Sequence, residues 1–132
     1  MARLIMIDDN PIEHLIMKKI FERCMIFPDA VHSLDGRNII NLLTAHKHDI
    51  ETLPDLIFLD LHMPDYSGWD FLEGFNALRP EILKVIDIYI VSSSVDPMDR
   101  TRARRYPFVK SFLTKPVPKD TLIAIHLGQG NS

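Results

Sequence analysis

A three-layer α/β sandwich, built from five βα units around a five-stranded parallel sheet, is the fold that this sequence predicts. Three observations carry the prediction. Short apolar runs alternate with longer amphipathic segments five times along the chain, the order of a parallel sheet joined by crossover helices. Leu4-Ile5-Met6-Ile7 and Leu56-Ile57-Phe58-Leu59 are apolar at every position, as strands buried on both faces are. Polar residues then follow the runs directly: Asp8-Asp9 after the first, Asp60 at the end of the third, Ser92 after the fourth and Lys115 after the fifth. Right-handed crossovers bring all the carboxyl ends to one edge of the sheet, where open α/β sheets bind ligands.

Taken in order, Leu4 to Ile7 form the first strand, and Asn10 with Pro11 supply a helix N-cap and a first-turn proline. In the helix that follows, Ile12, Leu15, Ile16, Ile20 and Cys24 recur at helical spacing as its apolar stripe, with Glu13, Lys18, Lys19, Glu22 and Arg23 on other faces. Phe27-Pro28-Asp29 ends that helix, and Ala30 to Leu34 make a short second strand. Asp35-Gly36 is a turn, and Ile39, Ile40, Leu42 and Leu43 mark a second helix running to about Lys47. His48 to Pro54 is a polar connector into the third strand. Gly68 to Leu78 is the third helix, with Trp69, Leu72, Phe75 and Leu78 buried and Arg79-Pro80 as its stop. Ile86 to Val91 is the fourth strand, and it ends in Ser92-Ser93-Ser94. Asp96-Pro97 opens a fourth helix with acids first and arginines last, as the helix dipole favours. Ser111 to Thr114 is the fifth strand, and Pro118 to Leu127 a closing amphipathic helix. No repeat or low-complexity tract interrupts the pattern, so one domain is expected over residues 1–132, with its core at about 3–127.

Composition narrows the function classes. Apolar residues make up 46% and charged residues 25%, a globular rather than a disordered balance. A net charge of −3 gives no global reason to expect nucleic acid or an anionic membrane as the main partner. The single cysteine, Cys24, excludes an internal disulfide, suits a reducing compartment and reads as a buried, inert thiol inside a helix. Met1 leads within three residues into the first strand, with no signal peptide, and no apolar run is long enough to span a bilayer. The expected location is cytoplasmic.

The strand ends collect three carboxylates, a hydroxyl and an ammonium: Asp8, Asp9, Asp60, Ser92 and Lys115. Acids gathered at one edge repel each other unless a cation joins them. Mg²⁺ suits such a site because it binds carboxylate oxygens, keeps several waters and accepts a phosphate oxygen. Lys115 offers a point charge for phosphate and Ser92 a hydroxyl. These parts suit phosphoryl transfer, in which the protein mostly positions groups and neutralises charge, with Asp60 able to act as nucleophile.

Four motifs stand in order over almost the whole chain: Ile7-Asp8-Asp9-Asn10-Pro11, Phe58-Leu59-Asp60-Leu61-His62-Met63-Pro64-Asp65-Tyr66-Ser67-Gly68, Ile90-Val91-Ser92-Ser93-Ser94 and Phe112-Leu113-Thr114-Lys115-Pro116. Together they resemble the receiver domain of two-component response regulators, in the stand-alone form of the chemotaxis regulators. The resemblance implies a flavodoxin-like fold and a phosphoacceptor switch rather than a turnover enzyme. Asp60 would take a phosphoryl group, with Mg²⁺, from a sensor histidine kinase or histidine phosphotransfer protein. It implies Asp8, Asp9, Asp60 and the backbone carbonyl of His62 as metal ligands. It further implies Ser92 as the hydroxyl that swings toward the phosphoryl group, Phe112 as the aromatic switch, Lys115 as the phosphate contact and Pro116 as a cis proline. A downstream protein partner is implied at the fourth helix, fifth strand and fifth helix, where Arg100, Arg104 and Arg105 form a basic stretch with Arg102. Direct nucleic-acid binding and membrane insertion are not expected.

The sequence departs from the family pattern in three places. Tyr106-Pro107-Phe108-Val109 replaces the Gly-Ala pair common before the fifth strand, the connector His48 to Pro54 is long, and the His62 side chain borders the path of hydrolytic water. Blander readings stand beside the sharp ones. Asp35, Asp65 and Asp96 read as turn residues or caps, the arginine run can be a solvated face, and Phe112 can be core. His46 and His48 lack the spacing of a helical zinc pair and read as surface polar residues. Two other functions compete with the switch: a constitutive docking module with a vestigial site, and a small phosphohydrolase that turns over at Asp60.

Overall fold

The computed structural model describes residues 2–128, so Met1 and residues 129–132 of the expected domain lie outside the described residues. Five strands, β1 (Leu4–Ile7), β2 (Val31–Ser33), β3 (Leu56–Leu59), β4 (Asp87–Ser92) and β5 (Val109–Thr114), alternate with five helices. These are α1 (Pro11–Cys24), α2 (Gly36–Ala45), α3 (Gly68–Leu78), α4 (Pro97–Ala103) and α5 (Lys119–His126). The strands are all parallel, in the order β2-β1-β3-β4-β5, the flavodoxin-like (βα)₅ arrangement.

The unbroken apolar runs are explained by the two cores. Side chains alternate across a strand, so Ile5, Ile7, Ile57, Leu59, Ile88 and Ile90 pack with Ile39, Leu43, Leu72 and Phe75 of α2 and α3. Leu4, Met6, Leu56, Phe58, Tyr89 and Val91 pack on the opposite face with Met17, Phe21, Leu122 and Ile125 of α1 and α5. No side chain of β3 is more than 7% exposed. Each such side chain, fully buried, contributes about 1.5–3 kcal/mol, which makes the middle strand a firm base for the residue that follows it. The helices start where the sequence supplies a cap: Asn10, Asp35, Ser67 and Asp96 each accept a hydrogen bond from a backbone N–H in the first turn.

Four expectations are corrected. The buried stripe of α1 is His14, Met17 and Phe21, not the aliphatic set; Ile12, Leu15 and Ile16 are 62%, 55% and 47% exposed. Both sets obey the helical period, and the aromatic edge contacts of Phe21 with Phe27 and of Phe27 with Phe58 decide which one faces the sheet. Cys24 is accordingly half-buried rather than buried. Helix α2 ends at Ala45, two residues short of Lys47, where the His46 N–H closes on the Leu42 carbonyl. Strand β5 begins at Val109 rather than Ser111, because a register shift between Ile88 and Tyr89 takes up the irregular approach through Pro107 and Phe108.

Gly68, at the start of α3, lies against the backbone just beyond β3. A Cβ there would stand 2.4 Å from the Asp60 carbonyl oxygen and 2.7 Å from the Leu61 Cα. Backbone cannot rotate out of the way as a side chain can. Gly68→Ala is therefore expected to destabilise the fold by about 1–3 kcal/mol or more, by overpacking. Urea denaturation checks this; an unchanged midpoint would show that α3 can retreat from β3 freely.

Candidate functional site

The carboxyl edge of the sheet brings four of the expected residues together. Asp8 directly follows β1 and is 2% exposed; its N–H donates to the Ser33 carbonyl, which fastens it to β2. Its Oδ1 accepts from the Asn10 N–H at 2.9 Å and its Oδ2 from the Lys115 Nζ at 2.8 Å. Asp60 directly follows β3, is 7% exposed, and donates its N–H to the Ile7 carbonyl. Lys115 follows β5, and its N–H donates to the Ser92 carbonyl, which carries its ammonium to within 3.8 Å of Asp60 Oδ1. Asp9 is exposed, yet Asp8, Asp9 and Asp60 each offer a ligand oxygen within 4.8 Å of the others. The Lys115–Pro116 bond is cis, as the resemblance implies.

The acids open into a cavity of about 460 Å³, rimmed by Asn10, Glu13, Ile16, His62, Ser93 and Pro116. A larger cleft of about 560 Å³ lies elsewhere, between the end of α1 and β2, and is lined mainly by apolar groups such as Phe21, Ile26 and Phe27. The smaller cavity holds the converging charges, and so holds the chemistry. Burial, then the charge of Asp8 and after it that of Asp9, push the Asp60 carboxyl up to about 6, although Lys115 and His62 pull it back. Burial pulls Lys115 down, but its hydrogen bond to Asp8 and the charges of Asp60 and Asp8 outweigh this and raise it. Two buried acids thus share one ammonium with an exposed third acid close by, which leaves net negative charge for a hard, oxygen-seeking cation. The donor set fits Mg²⁺ by its chemistry: every ligand atom offered is an oxygen.

The other expected residues do not join this cluster. Ser92 is fully buried at the end of β4, its Oγ accepting from the Ser94 N–H at 3.1 Å, while Ser93 reaches the cavity. Phe112 is half-buried on β5 beneath the Arg100 guanidinium, 4.6 Å above its ring. Arg100 also donates to Thr114 Oγ1 at 2.7 Å. Arg104 and Arg105 are exposed beyond α4, away from the acids. The His62 side chain points outward, with Nε2 3.5 Å from Asp99 Oδ2, and that same oxygen accepts from Ser94 Oγ at 2.5 Å.

Sequence reasoning missed three residues. Asp99 ties α4 to the site through His62 and Ser94. His14, buried on α1, engages the Asp8 carbonyl through Nε2 and the His32 Nδ1 through Nδ1, each at 2.7 Å. Burial, with the neighbouring His14 and Lys18, lowers His32 to about 4. The signal for His14 was its i, i+3, i+7 spacing with Met17 and Phe21, hidden because histidine counts as polar.

The family model for the response regulator receiver domain matches residues 4–126. A probable methanogenesis regulatory protein, FilR2, of Methanothrix harundinacea is 28% identical over 120 residues, covering 90% of this chain and 75% of that protein. The two-component response regulator ORR1 of Oryza sativa subsp. japonica is 22% identical over 118 residues, 88% of this chain and 50% of that protein, so the chain spans half the length of this relative. A two-component response regulator from Cytophaga hutchinsonii superposes with a TM-score of 0.83 at 22% identity, covering 98% of this chain and 97% of that one. A response regulator receiver protein from Dyadobacter fermentans gives 0.81 at 24% identity, covering 98% of both. At these identities the structural likeness speaks for the fold.

The raised Asp60 pKa has a consequence for stability. The folded protein binds this proton more tightly than the unfolded chain, whose value is near 3.8. The stabilisation is therefore complete below that value and is lost as the pH rises through about 6. In metal-free buffer near neutral pH, Asp60→Asn is expected to be more stable than wild type by up to about 3 kcal/mol, the gap closing toward about pH 4. Thermal denaturation over that range is the check. A gap that does not change with pH would mean that charge is not its source.

Proposed function

This chain belongs to the response regulator receiver domain family, and we propose that Asp60 is its phosphoacceptor, loaded with Mg²⁺ by a sensor histidine kinase or a histidine phosphotransfer protein. The observation that carries this reading is the cluster of Asp8, Asp9 and Asp60 oxygens within 4.8 Å of one another, with the Lys115 ammonium beside it. Asp8, Asp9, Asp60 and the backbone carbonyl of His62 would hold the metal. When bound, the ion supplies the positive charge that lets Asp60 ionise and phosphoryl oxygens approach.

An Oδ atom of Asp60 then attacks the phosphorus of the donor's phosphohistidine; the P–N bond breaks and its electron pair returns to the ring nitrogen. Lys115 balances charge gained on the phosphoryl oxygens, keeping Asp8 as its second partner. The Ser92 hydroxyl turns from the Ser94 N–H toward the new phosphoryl group, and Phe112 repacks into the space it leaves. That movement requires Arg100 to give up its place over the Phe112 ring. The basic face of Arg100, Arg104 and Arg105 is thereby reshaped for a downstream protein with acidic groups.

The donor has to reach Asp60 across the cavity rim, where Ile16 lies; Ile12 and Leu15 of the same helix are exposed as well. Three uncovered aliphatic side chains on a helix that borders an acidic cavity offer a surface that a protein donor would bury and a small-molecule donor does not need.

Intact mass after incubation with acetyl phosphate and Mg²⁺ is expected to show one added phosphoryl group on wild type, and none on Asp60→Asn or in EDTA. Labelling of Asp60→Asn would move the acceptor elsewhere. Leu15→Glu is expected to keep labelling by acetyl phosphate and to slow transfer from the phosphorylated protein donor at least about tenfold, the effect of one lost contact of about 1.4 kcal/mol. Equal slowing with both donors would remove the α1 face from the docking surface.

A further inference from the structure

His14 is a buried polar side chain that the phosphoacceptor chemistry does not use, yet it bonds to the acidic site. It is 5% exposed, and both its ring nitrogens are engaged at 2.7 Å, Nε2 with the Asp8 carbonyl oxygen and Nδ1 with His32 Nδ1 on β2. A carbonyl oxygen carries no proton, so Nε2 of His14 donates. Its Nδ1 shares one hydrogen bond with His32 Nδ1. The His14 ring is thus held from two sides, donating to the Asp8 carbonyl and bonded to His32.

Every oxygen of Asp8 is thereby held. The Asn10 amide holds Oδ1, Lys115 holds Oδ2 and His14 holds the carbonyl. The first two bonds fix where the Asp8 carboxylate points. The third fixes the plane of the peptide joining Asp8 to Asp9, and so the direction in which the exposed Asp9 leaves the strand. We propose that His14, ordered by His32, is a positioning residue for metal capture, holding the Asp8–Asp9 peptide so that both carboxylates converge on one cation. The inference rests on the reading of Asp8, Asp9 and Asp60 as Mg²⁺ ligands.

Calorimetric titration with Mg²⁺ alone tests it on wild type, His14→Met, His14→Gln and Met17→Ala. Glutamine keeps an N–H near the Nε2 position, and methionine has nearly the same shape without it. Met17→Ala removes core volume from the same helix face. His14→Met is expected to weaken Mg²⁺ binding about tenfold or more, the usual effect of removing a group that holds a ligand in place. His14→Gln is expected to recover most of the loss, and Met17→Ala to bind as wild type does. The proposal is overturned if His14→Met binds as wild type, or if the glutamine and methionine variants lose equally. It is overturned too if Met17→Ala weakens binding as much, which would make the effect one of stability alone. A wild type that binds no Mg²⁺ instead brings down the phosphoacceptor reading, and this inference with it. Should His14→Met fail to fold, ¹H–¹⁵N spectra of the wild-type rings decide. They are expected to show His14 protonated at Nε2, and a His14 ring without a proton there overturns the proposal.

Discussion

Like charges crowded at one edge of a buried sheet are the constraint on which this structure turns. Asp8 and Asp60 are both nearly inaccessible, Asp9 is close by, and one ammonium stands among them. Burial and the neighbouring acids both disfavour the ionised form of Asp60, so the arrangement has to be imposed by the rest of the chain. The imposition comes from backbone. Asp60 is bonded to β1, Asp8 to β2 and Lys115 to β4, each through its own N–H. The side chains thus converge because the strands that carry them are registered, and the strands are registered because both faces of the sheet are packed. The close approach of Gly68 to the Asp60 carbonyl completes the frame from the α3 side.

Most of this was legible in the sequence, because the central strands write their burial as unbroken apolar runs and the chemistry sits at their ends. Leu56 to Leu59 followed by Asp60 is one such stretch, and Leu4 to Ile7 followed by Asp8 another. What could not be read was which face of α1 turns inward. Ile12, Leu15 and Ile16 are the more apolar set, and His14, Met17 and Phe21 share the same period. The choice is made by tertiary packing: Phe21 meets Phe27, which itself takes the left-handed φ of 46° to reach the core. For the same reason His14 and its bond to Asp8 stayed hidden. A histidine facing a core is recognisable only when its partners are known, and those partners, Asp8 and His32, come from two different strand segments. The start of β5 was hidden by the shift of register beside Ile88, which no local pattern announces.

Helix α4 differs from the rest of the framework. Among its described residues only Ala103 is buried, so apolar packing does little to hold it. It is tied instead by directional contacts: Asp99 to Ser94 and His62, Arg100 to Thr114 and the Phe112 ring, and Arg102 over the Trp69 ring at 4.2 Å. Tyr106, just beyond it, bonds to Glu73 on α3. Polar and cation–π contacts at exposed sites are each worth roughly a kcal/mol or less, and each can be exchanged for water at small cost. An element held in this way has neighbouring arrangements of similar energy, whereas β3 has none.

That contrast says where, in the proposed switch, a signal from Asp60 would travel. The central strands are too well packed to move by fractions of an ångström without loss, so a new charge at their ends is relieved at the least constrained neighbours. Two of those neighbours belong to α4. The Ser92–Ser94 turn leads to Asp99 through the Ser94 hydroxyl, and β5 leads to Arg100 through Phe112 and Thr114. In the proposed switch, a phosphoryl group that recruits the Ser92 hydroxyl strains the first connection and vacates space beside the second. Both act on one seven-residue helix, so the two small displacements add. In that proposal, the basic face on and just beyond α4 is the surface whose shape would depend most steeply on the state of Asp60.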